Sequence, residues 1–238
     1  MRSCGDARRR FVPRATTVVL GVVPSVSRLC PCAVYARGRA CCRAKAGCVS
    51  ETRESILRQA SILFWRHGYR GTSTRQIAAS VGVTQPALFH FFKSKQAIAE
   101  NLLAVSLDET LVKARAALAA PGSPAERLHA YVYDDLLAIH SGAIPLAGAH
   151  ASDFVHEPGF EAWAAKLGEL ADILQALVAE GIAAGEFVAI DPVVAEAMIA
   201  GITISHMNLN TLGLATSPEE AARQGADFIL RGLRVATS

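Results

Sequence analysis

Four short segments constrain the fold of this chain more than anything else in it. Ser73-Thr74-Arg75-Gln76, Ser123-Pro124-Ala125-Glu126, Asp191-Pro192 and Ser217-Pro218-Glu219-Glu220 each place a side-chain oxygen where the free N–H groups of a first helical turn need an acceptor. In three of them proline follows directly, at the position where its missing N–H costs nothing. Apolar residues then recur at helical spacing, as in Ile56, Leu57, Ala60, Leu63 and Phe64, and Gly68 fits the left-handed residue that ends such a helix. Proline or glycine clusters at 121–124, 142–148, 157–159, 185 and 213–218 separate the segments. No alternating stretch of five or more residues competes. The expectation is an all-α fold after Ser50, with five or six helices beyond residue 95. These include a long connector over 96–119 and a closing pair over about 192–212 and 218–235.

Residues 197–218 carry no formal charge and are long enough to cross a bilayer. Thr203, Ser205, His206, Asn208, Asn210 and Thr211 would be costly in lipid, so no membrane partner is expected. A helix apolar nearly all round is buried on more than one side. Here one side faces the domain core and the other a second subunit. In the closing helix the stripe Ala222, Ala226, Ile229, Leu230 and Leu233 is expected to join that interface, with Gly201 and Gly225 allowing close approach.

The formal charge of +3 conceals a split. Residues 51–95 hold seven basic and two acidic side chains, whereas residues 96–238 hold seven basic and eighteen acidic ones. A basic block on an acidic body points to a nucleic-acid contact confined to one region. Residues 1–50 are more basic still, with ten Arg or Lys against Asp6 alone, and they contain all six cysteines. Cys30-Pro-Cys32 and Cys41-Cys42 lack the spacing that presents two thiolates to zinc. Arg8–Arg10 precede the apolar run 15–23 as in a secretion signal, but Pro24 breaks it and an Arg-rich tract follows. Residues 1–48 read as a disordered extension, or as sequence upstream of a translation start at Val49.

The most informative run is 73–92. A helix from Thr74 would bury Ile77, Ala78 and Val81. Gly82 would make the turn and Val83 fill the angle. Thr84 would cap a second helix carrying Pro86 in its first turn and Leu88, Phe91 and Phe92 inward. With its flanks this reads Gly68-Tyr69-x-x-Thr72-Ser73-Thr74-x-x-Ile77-Ala78-x-x-x-Gly82-Val83-Thr84-x-Pro86-x-Leu88-Phe89-x-x-Phe92-x-x-Lys95. That pattern resembles the DNA-binding domain of TetR-type (TetR/AcrR) transcriptional regulators. The resemblance covers about residues 50–110, with the helix-turn-helix at 73–92. It implies a three-helix DNA-binding domain joined to a C-terminal helical domain, 111–238, for effector binding and dimerisation. The implied protein is a cytoplasmic, bacterial, ligand-responsive repressor acting as a homodimer on a pseudo-palindromic operator in double-stranded DNA.

Physical roles follow for the exposed residues. Thr84 and Gln85, at the start of the second helix, are placed to reach base edges, and Pro86 and Ala87 to meet thymine methyls. His90 projects one turn further. The resemblance implies that Arg75, on the first helix, reaches a guanine or phosphate; Thr74 and Lys95 read as phosphate anchors, and Lys93 as a further DNA-binding residue. The family often has tyrosine where this chain has Phe89, which keeps the packing and loses one hydroxyl contact. Tyr69 reads as a packing residue.

The acidic half is less explicit. Tyr133, His140, Phe154, Trp163 and His206 are the foremost candidates for an effector pocket, with Tyr131, His150 and His156 beside them. The tract 142–150 reads as a mobile entrance, and the adjacent Asp134 and Asp135 as solvated surface. No nucleophile elbow, phosphate loop, HExxH or paired CxxC occurs in 49–238, so neither an enzyme nor a cofactor or metal is expected. The competing reading is a ligand-sensing helical dimer that has lost DNA binding. Exposed Arg75, Gln85, His90, Lys93 and Lys95 argue against it.

Overall fold

The computed structural model describes residues 41–150, 157–215 and 217–235, with side chains from Val49 onward. Among them the helices are α1 (Cys41–Gly71), α2 (Thr74–Ser80), α3 (Gln85–Phe91), α4 (Lys95–Ala119), α5 (Pro124–Ser141), α6 (Ala147–His150), α7 (Glu161–Ala183), α8 (Pro192–Thr211) and α9 (Pro218–Leu233). No strand occurs among the described residues; Phe187 and Arg234 form a single antiparallel bridge. The first helix starts at Cys41, upstream of the expected Ser50, so backbone helix extends into the tract set aside as a non-folding extension. Gly68 interrupts it at φ 72°.

The capping signals hold with one variation. Ser73 with Gln76 and Ser123 with Glu126 form full capping boxes, and Asp191 accepts from Val193 N. Ser217 accepts from Glu220 N, but the Glu220 carboxylate turns instead to Arg223 and Gln224, so only half of that box exists. Ser94 caps α4 through Ala97 N at 3.0 Å.

Two apolar cores form. The first joins α1, α2, α3 and the start of α4 through Ile56, Phe64, Ile77, Leu88, Phe92 and Ile98. The second fills the body between α4, α5, α7, α8 and α9. Helix α4 belongs to both: Ile98, Leu102 and Leu103 lie in the head, and Leu107, Leu111 and Ala114 in the body.

The closing helices correct one expectation. Ala222, Ala226, Ile229, Leu230 and Leu233 are buried within the subunit, where α9 lies along α5. An apolar stripe signals burial without saying against what, and here α5 claims it. Gly225 serves the same internal packing, since a Cβ there would come within 2.4 Å of Leu136 and 2.5 Å of His206. The uncovered apolar surface lies elsewhere. Along α8, Val194, Met198 and Leu209 are exposed, Met198 by 59%, as is Leu212 just past its end, and on α9 Phe228 is exposed by 69%.

Candidate nucleic-acid interface and effector cavity

The head is built from the turn outward. Val83 N donates to Ala78 O at 3.0 Å, and Gly82, at φ 72°, lets the chain reverse. Ala78 is buried at the crossing, where a larger side chain would push the helices apart. Thr84 accepts from Ala87 N at 3.4 Å and starts α3, with Pro86 in its first turn. Leu88 and Phe92 anchor α3 inward, which leaves Pro86, Phe89, His90 and Lys93 exposed. Thr84 and Arg75 are exposed as well, and Ala87 is half-buried.

Two residues differ from expectation. The Gln85 side chain is half-buried, and its Nε2 donates to Thr74 Oγ1 at 2.9 Å, tying the start of α3 to the start of α2. Lys95 is drawn inward: its Nζ donates to Tyr69 O at 2.9 Å and Thr72 O at 3.1 Å, 4.2 Å from the Tyr69 ring centroid. Those carbonyls lie just past the break at Gly68, so the ammonium closes the C-terminal end of α1. Burial lowers the Lys95 pKa, against the opposing field of Glu157. Tyr69 packs edge-on to Phe64 and Phe160, as expected of a packing residue.

A cavity of about 430 Å³ opens between α4, α5, α6, α7 and α8, with Glu54 of α1 at its wall. Its walls are mainly aliphatic, with Leu107, Ile139, Leu167, Leu174, Ile199 and Met207 among them. The polar groups concentrate on α4 and its neighbours. Thr110 Oγ1 donates to Asp135 Oδ1 at 2.7 Å, and Ser106 Oγ meets His150 Nε2 at 2.7 Å. Asp135 is 7% exposed, which corrects its reading as solvated surface; Asp134 is the exposed member of the pair. Burial raises the Asp135 pKa, against the Thr110 hydrogen bond and the Lys113 charge. Burial pushes His150 down to about 4, so its imidazole is neutral at pH 7.

The foremost pocket candidates that fall among the described residues lie elsewhere. Tyr133 packs partly buried on the body core, and Trp163 sits against both cores with Lys166 Nζ 4.1 Å from its ring centroid. His140 Nε2 and His206 Nδ1 pair at 2.9 Å between α5 and α8, outside the cavity wall. Phe154 and His156 lie outside the described residues. Tyr131 and His150 do line the cavity. Ser106, Thr110 and Asp135 were missed. The available signal was a pair of hydroxyl residues one turn apart on the otherwise apolar side of α4.

The segment after α5 touches both the cavity and the head core. Gly142, Ala143, Ile144, Leu146 and His150 line the cavity. Arg58 Nε donates to Ala143 O at 2.8 Å, and the Ser61 hydroxyl donates to Pro145 O. Gly148 lies so close to α1 that a Cβ there would come within 1.9 Å of Ser61 O. Ala149 and Phe160 are buried in the head core. Nearby, Arg70 grips the Glu157 carboxylate through Nε at 2.6 Å and Nη2 at 3.1 Å, and Gln96 Nε2 donates to Gly159 O at 3.2 Å. The stretch expected to be a mobile entrance is thus a packed wedge.

Comparison with known proteins bears on both halves. Residues 56–102 match the family of bacterial regulatory proteins, tetR family, and residues 121–233 match the tetracyclin repressor-like C-terminal domain. The HTH-type transcriptional repressor KstR2 of Mycobacterium tuberculosis (strain ATCC 25618 / H37Rv) is 29% identical over 117 residues. That stretch is 48% of this chain and 58% of the repressor's length. The crystal structure of Mycobacterium smegmatis AmtR superposes with a TM-score of 0.64 at 32% identity, covering 78% of this chain and 87% of that one. A TetR/AcrR-family regulator from Thermobifida fusca YX-ER1 is 31% identical with a TM-score of 0.50, covering 78% of this chain and all (100%) of that one. No described helix is long and apolar enough to cross a membrane. Head, body and relatives agree: the chain belongs to the TetR/AcrR family of transcriptional regulators.

Proposed function

We propose that this chain is a ligand-responsive transcriptional repressor that binds a pseudo-palindromic operator as a homodimer. The observation that carries the reading is the outer surface of the helix-turn-helix. Arg75, His90 and Lys93 are exposed there with no hydrogen-bond or ion-pair partner among the described residues. A packing motif without DNA needs Ile77, Ala78, Gly82 and Leu88 but has no use for that fringe. Gln85 Oε1 remains available to a base-edge donor while Nε2 holds Thr74, so the bond pre-sets the side chain rather than retiring it. Thr84, Pro86, Ala87 and Phe89 complete the groove-facing surface. Thr74 and Lys95 support the backbone contacts, Lys95 with the one ammonium proton its two carbonyl bonds leave.

The exposed stripe on α8 and Phe228 on α9 support the dimer, since apolar faces of this kind mark association surfaces. Two heads related by a twofold axis reach major grooves about one duplex turn apart, roughly 34 Å or slightly more. An effector in the body cavity acts by its differential affinity for two head arrangements. The wedge at 142–150 supports that coupling, because it lines the cavity and underpins α1.

The test is selection of full-length protein on random duplex DNA at fixed moderate salt, with sedimentation in parallel. Recovery of a pseudo-palindrome is the expected result. A folded dimer that enriches nothing would overturn the DNA-binding reading in favour of a ligand-sensing dimer. Met198→Glu or Phe228→Glu should convert the dimer to monomer; a dimer that survives both would refute this interface.

A further inference from the structure

The cavity lining carries more carboxyl groups than cations. Four carboxyl side chains, Glu54, Glu109, Asp135 and Glu196, face one ammonium, Lys113. Two of the four are matched locally: Glu54 by Arg58 at 2.7 Å and Glu109 by Lys113 at 2.9 Å. Asp135 and Glu196 have no cationic partner within 4.0 Å among the described residues. Asp135 is also the most enclosed of the four, with Oδ1 held by Thr110 in a wall that is otherwise largely aliphatic. We propose that the effector is an organic amine with a compact apolar body, its ammonium seated against Asp135 and its hydrocarbon filling the aliphatic part of the cavity.

Each alternative headgroup meets a specific obstacle. A carboxylate or phosphate would need a cation, and Lys113 is engaged by Glu109. The imidazole of His150 is neutral at pH 7 and supplies no charge. An anion in this poorly hydrated space would also oppose ionisation of Asp135 and Glu196, which burial already disfavours. A neutral alcohol could bond to Ser106 or Thr110 but would leave the carboxyl excess unanswered. An ammonium removes it, and it restores the ionised form of Asp135 that burial disfavours. The volume of about 430 Å³ lies toward the small end of the usual ligand range of about 300–1,000 Å³.

The inference rests on the effector reading, and the experiment separates the two. Full-length protein is titrated calorimetrically with 4-phenylbutylamine, 4-phenylbutanol and 4-phenylbutyrate, which share a body and differ in the head. The amine should bind at least about tenfold more tightly than the carboxylate, as like-charge placement demands. Asp135→Asn should remove most of that preference while alcohol binding persists, and Glu196→Gln should reduce it partially. The persistent alcohol signal shows that the variant cavity is folded. Equal or tighter carboxylate binding, an amine affinity indifferent to Asp135→Asn, or no binding by any of the three would overturn the proposal. Operator affinity is then measured with each probe. An amine that binds without moving it leaves the chemistry standing and refutes the effector reading. Release by the alcohol or the carboxylate does the reverse.

Discussion

Head and body use polar residues in opposite ways. In the head the apolar residues fix α3, and Arg75, His90 and Lys93 face outward on a surface whose geometry they do not determine. In the body Ser106, Thr110, Asp135 and His150 are turned inward, and their mutual hydrogen bonds are part of the packing itself. An outward head residue such as Arg75, His90 or Lys93 is therefore replaceable at the expense of binding alone. A body residue is not, because removing one partner leaves another unsatisfied in an enclosed space. The lesson is that binding and stability separate in one half of the molecule and remain coupled in the other.

The largest test removes the support beneath the outward surface. Leu88→Ala, at a fully buried position under α3, should cost about 2–5 kcal/mol by chemical denaturation and abolish operator binding with it. Gly148→Ala should come next. Its Cβ meets the Ser61 backbone, which no rotamer can relieve, and such overpacking costs about 1–3 kcal/mol. If operator affinity in Gly148→Ala stays at the parent value while stability falls, the wedge does not position the head.

Residues of the candidate DNA-binding surface should then behave differently from one another. Gln85→Ala should alter base preference, with about 1–3 kcal/mol lost at the contacted base pair in competition assays. Lys93→Ala should weaken every site alike and reduce the salt slope by about one. A uniform loss from both would merge the two roles. Lys95→Ala should differ again and lower the denaturation midpoint, because its ammonium holds the end of α1.

The smallest effect is the pH response of the body. His150, His140 and His206 all have pKa values lowered by burial, His150 to about 4. The unfolded chain takes up these protons first, so their contribution to stability is complete above about pH 6.5 and declines as pH falls toward 4. Asp135 acts in the opposite sense. Its raised pKa means the folded state keeps a proton the unfolded state has lost, so stability falls as pH rises from about 4 through the folded value. The denaturation midpoint should therefore fall between pH 6.5 and 4.5, and the decline should be shallower in His150→Gln. An identical slope in the variant would remove His150 from that account.

The head was readable because each requirement there is local. Ser73 with Gln76, Gly82, and Thr84 before Pro86 lie within one or two turns of the groups they serve. The inward turn of Lys95 was not, since its partners Tyr69 and Thr72 are 26 and 23 residues away. In the body the helices were readable from caps and periodicity, but their partners were not. Neither periodicity nor composition says that the α9 stripe meets α5 or which of Asp134 and Asp135 turns inward. The wedge at 142–150 looked mobile because Gly and Ala mark flexible chain and close packing equally well, and here Gly148 serves the second purpose.

The double membership of α4 bears on how the molecule comes apart. Its first turns lie in the head core and its later turns in the body core, and the head core also borrows Ala149 and Phe160 from beyond α5. A fragment cut after α4 would lose both borrowed residues and lay Leu107, Leu111 and Ala114 open to water. The described helices should therefore melt as one cooperative unit, and a graft of this head onto another body would have to carry its wedge along.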